Sequence, residues 1–263
     1  MQTEAEPRVG TPTRAGLRAP RSEVWLVLGV SLGASAVYSA LSLVNKLTVG
    51  PPLAEQTATL NASAVPDRPW LDLAYQLVGI FFALVPALLA VHLLGRDPDG
   101  ARAAFGLDVR RPTFDGLSGA GLAAVIGIPG LGLYAAAHRL GFNATIVPAA
   151  LPAAWWAVPV LVLAAVQNAL LEELVVVGYL LTRLRQFGWG AVPAVAASAT
   201  LRGSYHLYQG PGAFVGNAVM GAVFGLFFRR TQRIVPLVLA HALLDIVAFV
   251  GYTLLRGHLG LLG

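Results

Sequence analysis

Seven apolar segments, most of them long enough to cross a bilayer as a helix, leave this chain very few folds. They cover approximately 24–44, 70–94, 117–137, 155–181, 191–207, 213–228 and 235–255. A helix needs about 20 apolar residues to cross about 30 Å of hydrocarbon, and only the fifth and sixth segments are short for that task. Composition agrees, since 12% of the residues are charged and 56% hydrophobic, against about 25% charged in an ordinary soluble domain. The expectation is an all-α polytopic transmembrane bundle of about seven, or eight, membrane helices.

The arginines fall between these segments in alternating doses. Arg8, Arg14, Arg18 and Arg21 precede the first; Arg96, Arg102, Arg110 and Arg111 follow the second; Arg183 and Arg185 follow the fourth; Arg229, Arg230 and Arg233 follow the sixth. The connections between carry Lys46 and Arg68, then Arg139, then none, and finally Arg256. Basic residues mark the cytoplasmic side, so the N-terminus is expected in the cytoplasm, with the protein multi-pass in the plasma membrane. A net charge of +5 distributed in this way sets orientation, and nucleic acid is excluded as a partner.

Residues 1–22, rich in Arg, Pro, Thr and Ala, read as a disordered cytoplasmic tail that could also touch anionic lipid. Residues 23–263 read as a single transmembrane domain. Its first segment is too long for a signal-peptide core and is expected to stay as an anchor. The connection 45–69, with Gly50, Pro51, Pro52, Pro66 and Pro69, reads as an external covering loop. Asn61 and Asn143 each open an N-x-S/T glycosylation pattern on the same side. Gly29 with Gly33, Gly212 with Gly216, and Gly221 with Gly225 have the spacing that lets helices approach closely. No internal repeat is evident.

Glu172 and Glu173 lie together inside the fourth segment, which has no other formal charge. An acid at the centre of a membrane helix costs about 2.5 to 3.5 kcal/mol on insertion scales, so an adjacent pair calls for a compensating partner or a chemical role. The other polar residues of the C-terminal segments are Asn168, Arg202, His206, Asn217, His241 and Asp245. His241 and Asp245 are four apart and share a helix face. Glu172 and Glu173 diverge by about 100° around an α-helix and are expected to make different contacts.

Two imidazoles and a carboxylate in a wet membrane pocket suit hydrolysis. A glutamate can take a proton from water, one histidine can hold that water, and another can stabilise a tetrahedral oxyanion. With no cysteine no thiol is available; serine and threonine remain open as nucleophiles, though no G-x-S-x-G appears. The same residues could instead hold a divalent metal such as zinc, with Glu172, His206 and His241 as ligands. No H-E-x-x-H motif decides between these readings.

The order of a glutamate pair, a histidine on the next helix and His-x-x-x-Asp near the C-terminus resembles the CAAX-protease and bacteriocin-processing (CPBP, also called Abi) intramembrane proteases. The resemblance covers about 155–255. It implies a metallo- or glutamate-dependent endopeptidase acting on a peptide or membrane-protein substrate in or near the lipid bilayer. It further implies Glu172 as general base, His206 sharing the catalytic water, His241 with Asp245 on the oxyanion side, and Glu173 in support. The usual pattern has an arginine four residues after the second glutamate, where this chain has Val177, and an aromatic residue four before the histidine, where it has Arg202. Taken together the two departures suggest an exchange, in which Arg202 supplies the missing cation to Glu172 or Glu173. Otherwise Arg202 snorkels to an interface.

Counted along ideal helices, Glu172 lies about 14 Å and His241 about 9 Å from the cytoplasmic ends, but His206 about 22 Å. Gly188, Gly190 and Pro193 permit a broken approach that would reconcile these depths. Two other functions fit the same buried groups, a proton-coupled membrane transporter and a catalytically silent scaffold related to the protease.

Overall fold

The computed structural model describes residues 20–48, 50–108 and 110–255. The expected tail lies outside these residues up to position 19, and Arg256 lies outside them as well. Arg21 and Ser22, assigned to the tail, are instead helical: α1 covers Arg21–Gly29 and α2 covers Leu32–Thr48. The first apolar segment is therefore two helices bent by 52°. At the break the Ser31 hydroxyl donates to the Val27 carbonyl at 2.5 Å. A Cβ on Gly33 would sit 2.7 Å from the Leu28 carbonyl oxygen, so this glycine serves the bend and not a helix pair.

A short 3₁₀ turn at Leu53–Glu55 leads to β1, Thr57–Ala62. Then follow α3 at Pro69–Leu94, α4 at Gly100–Phe105, α5 at Pro112–Arg139 and β2 at Thr145–Ala150. The strands pair in parallel with Thr57 opposite Thr145 and Ala62 opposite Ala150. The all-α expectation is corrected to this extent: two connections satisfy each other's backbone groups as a small sheet, a pairing between distant segments that neither segment signals alone.

The C-terminal half comprises α6 at Ala157–Glu172, a π-helical segment at Glu173–Tyr179, α7 at Leu180–Gln186, α8 at Ala191–Ser204, α9 at Pro211–Thr231 and α10 at Val235–Leu255. Pro69, Pro112 and Pro211 open their helices, where a missing N–H costs nothing. Five helices among the described residues are long and apolar enough to span a membrane, or six if the bent pair is one span. A count of seven or eight is not reached because α8 has only 14 residues, about 21 Å of helix. It starts after Gly188, whose φ of +87° turns the chain, and stops before His206.

The α6–α7 rod is the axis of the molecule. In it 61% of the apolar window is buried, against 6% in α5, so α5 is largely exposed while α6–α7 is mostly packed, with Leu163 and Val166 of α6 left exposed. α10 lies against α6 and α5, and α8 against α9. Gly221 and Gly225 make the last approach possible, since a Cβ at Gly221 would stand 3.0 Å from Ala199 Cα. Gly212 and Gly216 face Ala137 and Leu133 of α5 in the same way.

Ion pairs gather the arginine-rich connections at one end. Arg183 meets Glu23 at 2.8 Å and Asp97 at 2.6 Å, while Arg233 meets Asp108 at 3.0 Å and Asp115 at 2.5 Å. At the opposite end Lys46 donates to the Thr57 and Tyr208 carbonyls, each at 3.0 Å. Asn143 there is buried, and its Oδ1 accepts from Ala213 N–H at 3.0 Å, helping to cap α9. The side chain read as a sugar acceptor is thus a structural cap; Asn61 for its part donates to the Pro148 carbonyl at 2.8 Å.

Candidate active site

The site is built where α6 changes pitch. From Glu173 to Tyr179 the helix widens into π geometry, with every residue buried. Such segments are rare and often mark function. Two neighbours support it. Phe105 of α4 presses its ring against Gly178, where any Cβ would collide with it, and the Ser198 hydroxyl of α8 donates at 2.8 Å to the Val176 carbonyl. A side chain entering the hydrogen-bond ladder is a standard cause of local rewinding.

Arg202 projects from α8 onto this turn and is fully buried. Its Nη2 lies 3.1 Å from Glu172 Oε2, and its fork also engages both oxygens of Glu173, with Nη1 at 3.4 Å from Oε2. The two glutamates therefore do not go separate ways, because one guanidinium spans the angle between them. Gly221 leaves room for the Arg202 side chain, whose Cδ would stand 3.1 Å from a Cβ there, and the Phe224 ring lies 5.4 Å from the guanidinium. Burial among two carboxylates and an aromatic face is the opposite of snorkelling.

His241 of α10 completes the centre. Its Nδ1 is 2.8 Å from Glu173 Oε1 and 3.1 Å from Arg202 Nη2. An arginine can only donate and a carboxylate only accept, so the shorter contact makes Nδ1–H the donor to Glu173. Nε2 then faces Asp245 Oδ2 at 3.8 Å and Glu172 Oε2 at 4.0 Å. The carboxylate that orients His241 is Glu173, while Asp245 stands beyond hydrogen-bond reach and receives the Asn168 amide at 3.4 Å.

His206 follows the end of α8. Its Nδ1 lies 3.0 Å from the Arg202 carbonyl oxygen, a pure acceptor, so Nδ1 carries the proton and the neutral ring keeps a bare Nε2. Among the described residues it makes no hydrogen bond to a carboxylate. Asn217 is outside the site, its amide donating to the Ala213 carbonyl of its own helix at 3.0 Å. Tyr205 is inside it, with its hydroxyl donating to Glu172 Oε2 at 2.8 Å. That residue was missed in the sequence, where a tyrosine beside a histidine gives no sign of facing a glutamate on another helix.

No group of three or more His, Cys, Asp and Glu side chains among the described residues is spaced to hold a metal ion. The centre between Glu172, Glu173 and His241 is held by the Arg202 guanidinium. A second cation there would meet direct repulsion. Around Glu172, Glu173 and His241 the guanidinium stands where such a cation would bind.

These features define a helical membrane protein with a buried acid–base centre shared by three packed helices. Residues 154–247 match the family described as Type II CAAX prenyl endopeptidase Rce1-like, and this segment is thereby similar to the CPBP/CAAX proteases. No curated protein and no solved structure matches it.

Proposed function

We propose that this protein is an intramembrane endopeptidase that hydrolyses peptide bonds in or near the bilayer with water activated by glutamate and histidine. One observation carries the reading. Glu172 Oε2 is held by Arg202 and Tyr205, which fixes the carboxylate and leaves Oε1 without a hydrogen-bond partner among the described residues. An immobilised carboxylate with one open oxygen is what a general base requires.

In the proposed reaction Oε1 of Glu172 takes a proton as the water oxygen bonds to the scissile carbonyl carbon. The bare Nε2 of His206 positions that water. His241, with Asp245 one turn on, faces the oxygen that becomes negative in the tetrahedral intermediate. Collapse breaks the C–N bond, and the proton on Glu172 passes to the departing nitrogen, giving a carboxylic acid and an amine. Arg202 and Glu173 position these groups: the arginine balances two carboxylates and Glu173 orients His241. The family match favours prenylated proteins cut after the modified cysteine as the substrate class, presented from the cytoplasmic side.

Mass spectrometry of membrane-protein termini, with and without this protein, tests the reading. New C-termini that depend on the intact protein and vanish with Glu172→Gln are expected; identical termini in both membranes would refute it. Exhaustive chelation of the purified protein is expected to leave cleavage unchanged, and a loss restored by added zinc would contradict the arginine-centred arrangement.

A further inference from the structure

At the arginine-rich end, α7 and α9 finish side by side around a crevice of about 70 Å³. It is lined by Leu181, Thr182, Arg185, Phe228, Arg229 and Gln232. Four carboxylates at this end are already committed: Glu23 and Asp97 to Arg183, and Asp108 and Asp115 to Arg233. Arg185 and Arg229 have no carboxylate within ion-pair distance among the described residues. The crevice thus carries two uncompensated guanidinium groups.

Its other polar groups are arranged for an anion. Helix C-termini normally repel negative charge through their free carbonyls. Here Gln232, turned into the left-handed region at φ 53°, covers them: its Nε2 donates to the Phe228 carbonyl at 3.1 Å and the Arg229 carbonyl at 3.2 Å. Gln232 Oε1 accepts from Arg185 Nη1 at 3.2 Å and steadies that arginine at the rim. Thr182 lines the crevice, and its hydroxyl makes no hydrogen bond to another of the described residues. Thr48, Thr231 and Thr253 all bond to the carbonyl four residues before them. Without such a bond, the Thr182 hydroxyl at the crevice wall is a spare donor.

Both arginines lie in the last turns of membrane-spanning helices, the level at which lipid phosphates sit. We propose that this crevice binds a phosphoryl oxyanion through Arg185, Arg229 and the Thr182 hydroxyl. Arginine suits this ligand because its planar fork matches two phosphate oxygens. The site is separate from the Glu172 centre and does not depend on the reaction assigned there.

The test uses the full chain in three settings: phosphatidylcholine vesicles alone, the same vesicles with phosphatidylglycerol, and phosphatidylcholine with inorganic phosphate in the buffer. Thermal unfolding and native mass spectrometry of retained lipid are the readouts. Phosphatidylglycerol is expected to raise the unfolding midpoint and remain bound. Its apparent affinity should fall about tenfold in Arg229→Gln, the loss of one charge-assisted hydrogen bond. A fall of about threefold is expected in Thr182→Val, which keeps the packing volume. Arg230→Gln, which does not line the crevice, should bind as the unaltered protein does. Stabilisation by inorganic phosphate that is lost in the same two variants supports the site and assigns it to the free ion. Equal weakening by Arg230→Gln, or no weakening by Arg229→Gln and Thr182→Val, overturns it.

Discussion

Arg202 and Arg183 are both buried arginines that bridge two carboxylates, and their surroundings differ in a telling way. Arg183 uses all three nitrogens: Nε on Glu23 at 2.8 Å, Nη1 on Asp97 at 2.6 Å and Gln186 at 2.8 Å, and Nη2 on the Leu93 carbonyl at 3.3 Å. Tyr179 donates to the same Glu23 at 2.9 Å. Arg202 leaves its buried Nε without a partner, and its carboxylates are shared with Tyr205 and His241. A saturated network rigidifies, whereas an unsatisfied buried group in a native fold calls for a reason. Arg183 is a clasp that ties α1, α3 and α7 together, and Arg202 is the balancing charge of the proposed catalytic centre.

The largest effect expected from this contrast is chemical. Glu172→Gln and His241→Ala should each lower peptide cleavage by at least about 10³-fold while the protein still inserts and folds, and the double variant should be little worse. Additive losses would show that the two residues do not share a step. Next in size is the clasp. Arg183→Met leaves Glu23 and Asp97 without their cation, and unfolding measurements should show a loss of about 3 to 5 kcal/mol. The molecules that remain folded should cleave within about twofold of normal; a large loss of turnover per folded molecule would erase the distinction between the two arginines.

A smaller change sharpens the role of Arg202. Arg202→Lys keeps the charge but cannot fork across both glutamates, so cleavage should fall about tenfold with a modest effect on stability. Unchanged activity would mean that charge alone suffices. Returning the cation to the glutamate helix is a harder exchange than the motif suggests. Val177 is fully buried in the core, and an arginine there must first displace its neighbours. Val177→Arg should therefore recover less than tenfold of the activity lost in Arg202→Phe.

Much of this arrangement was legible in the chain. The apolar runs located most of the spans because lipid admits few alternatives, and the two departures from the family pattern, with the cost of an unpaired buried charge, pointed to Arg202 meeting Glu172 or Glu173. The π turn was not legible, because it depends on Phe105 and Ser198, which lie far away in sequence. The same limit hid the true partner of His241. A spacing of four made Asp245 the obvious choice, yet three-dimensional packing gives the 2.8 Å contact to Glu173 and leaves Asp245 at 3.8 Å. Segment length misjudged α8, whose hydropathy runs past a chain turn at Ser204.

The smallest effect concerns the third arginine cluster, outside the membrane spans. The Arg110 backbone N–H and the Arg233 side chain hold Asp108 below the usual carboxylate pKa. A depressed folded-state pKa contributes stability that is complete above the unfolded value of 3.8 and is lost as the pH falls through the folded value. Asp108→Asn should therefore lower the unfolding midpoint slightly near neutrality, and its difference from the unaltered protein should vanish as the pH falls through the folded value. An unchanged acid profile would show that the contact contributes nothing.

Whether Glu172 acts as a base within an arginine-balanced centre can be read from purified protein in vesicles with a membrane-anchored peptide. Product termini are read by mass spectrometry for the unaltered chain, Glu172→Gln and Arg202→Lys after removal of metal. Cleavage is expected from the unaltered chain, about tenfold less with Arg202→Lys and none with Glu172→Gln. Cleavage that persists at full rate in Glu172→Gln, or that requires added metal in the unaltered chain, would contradict it.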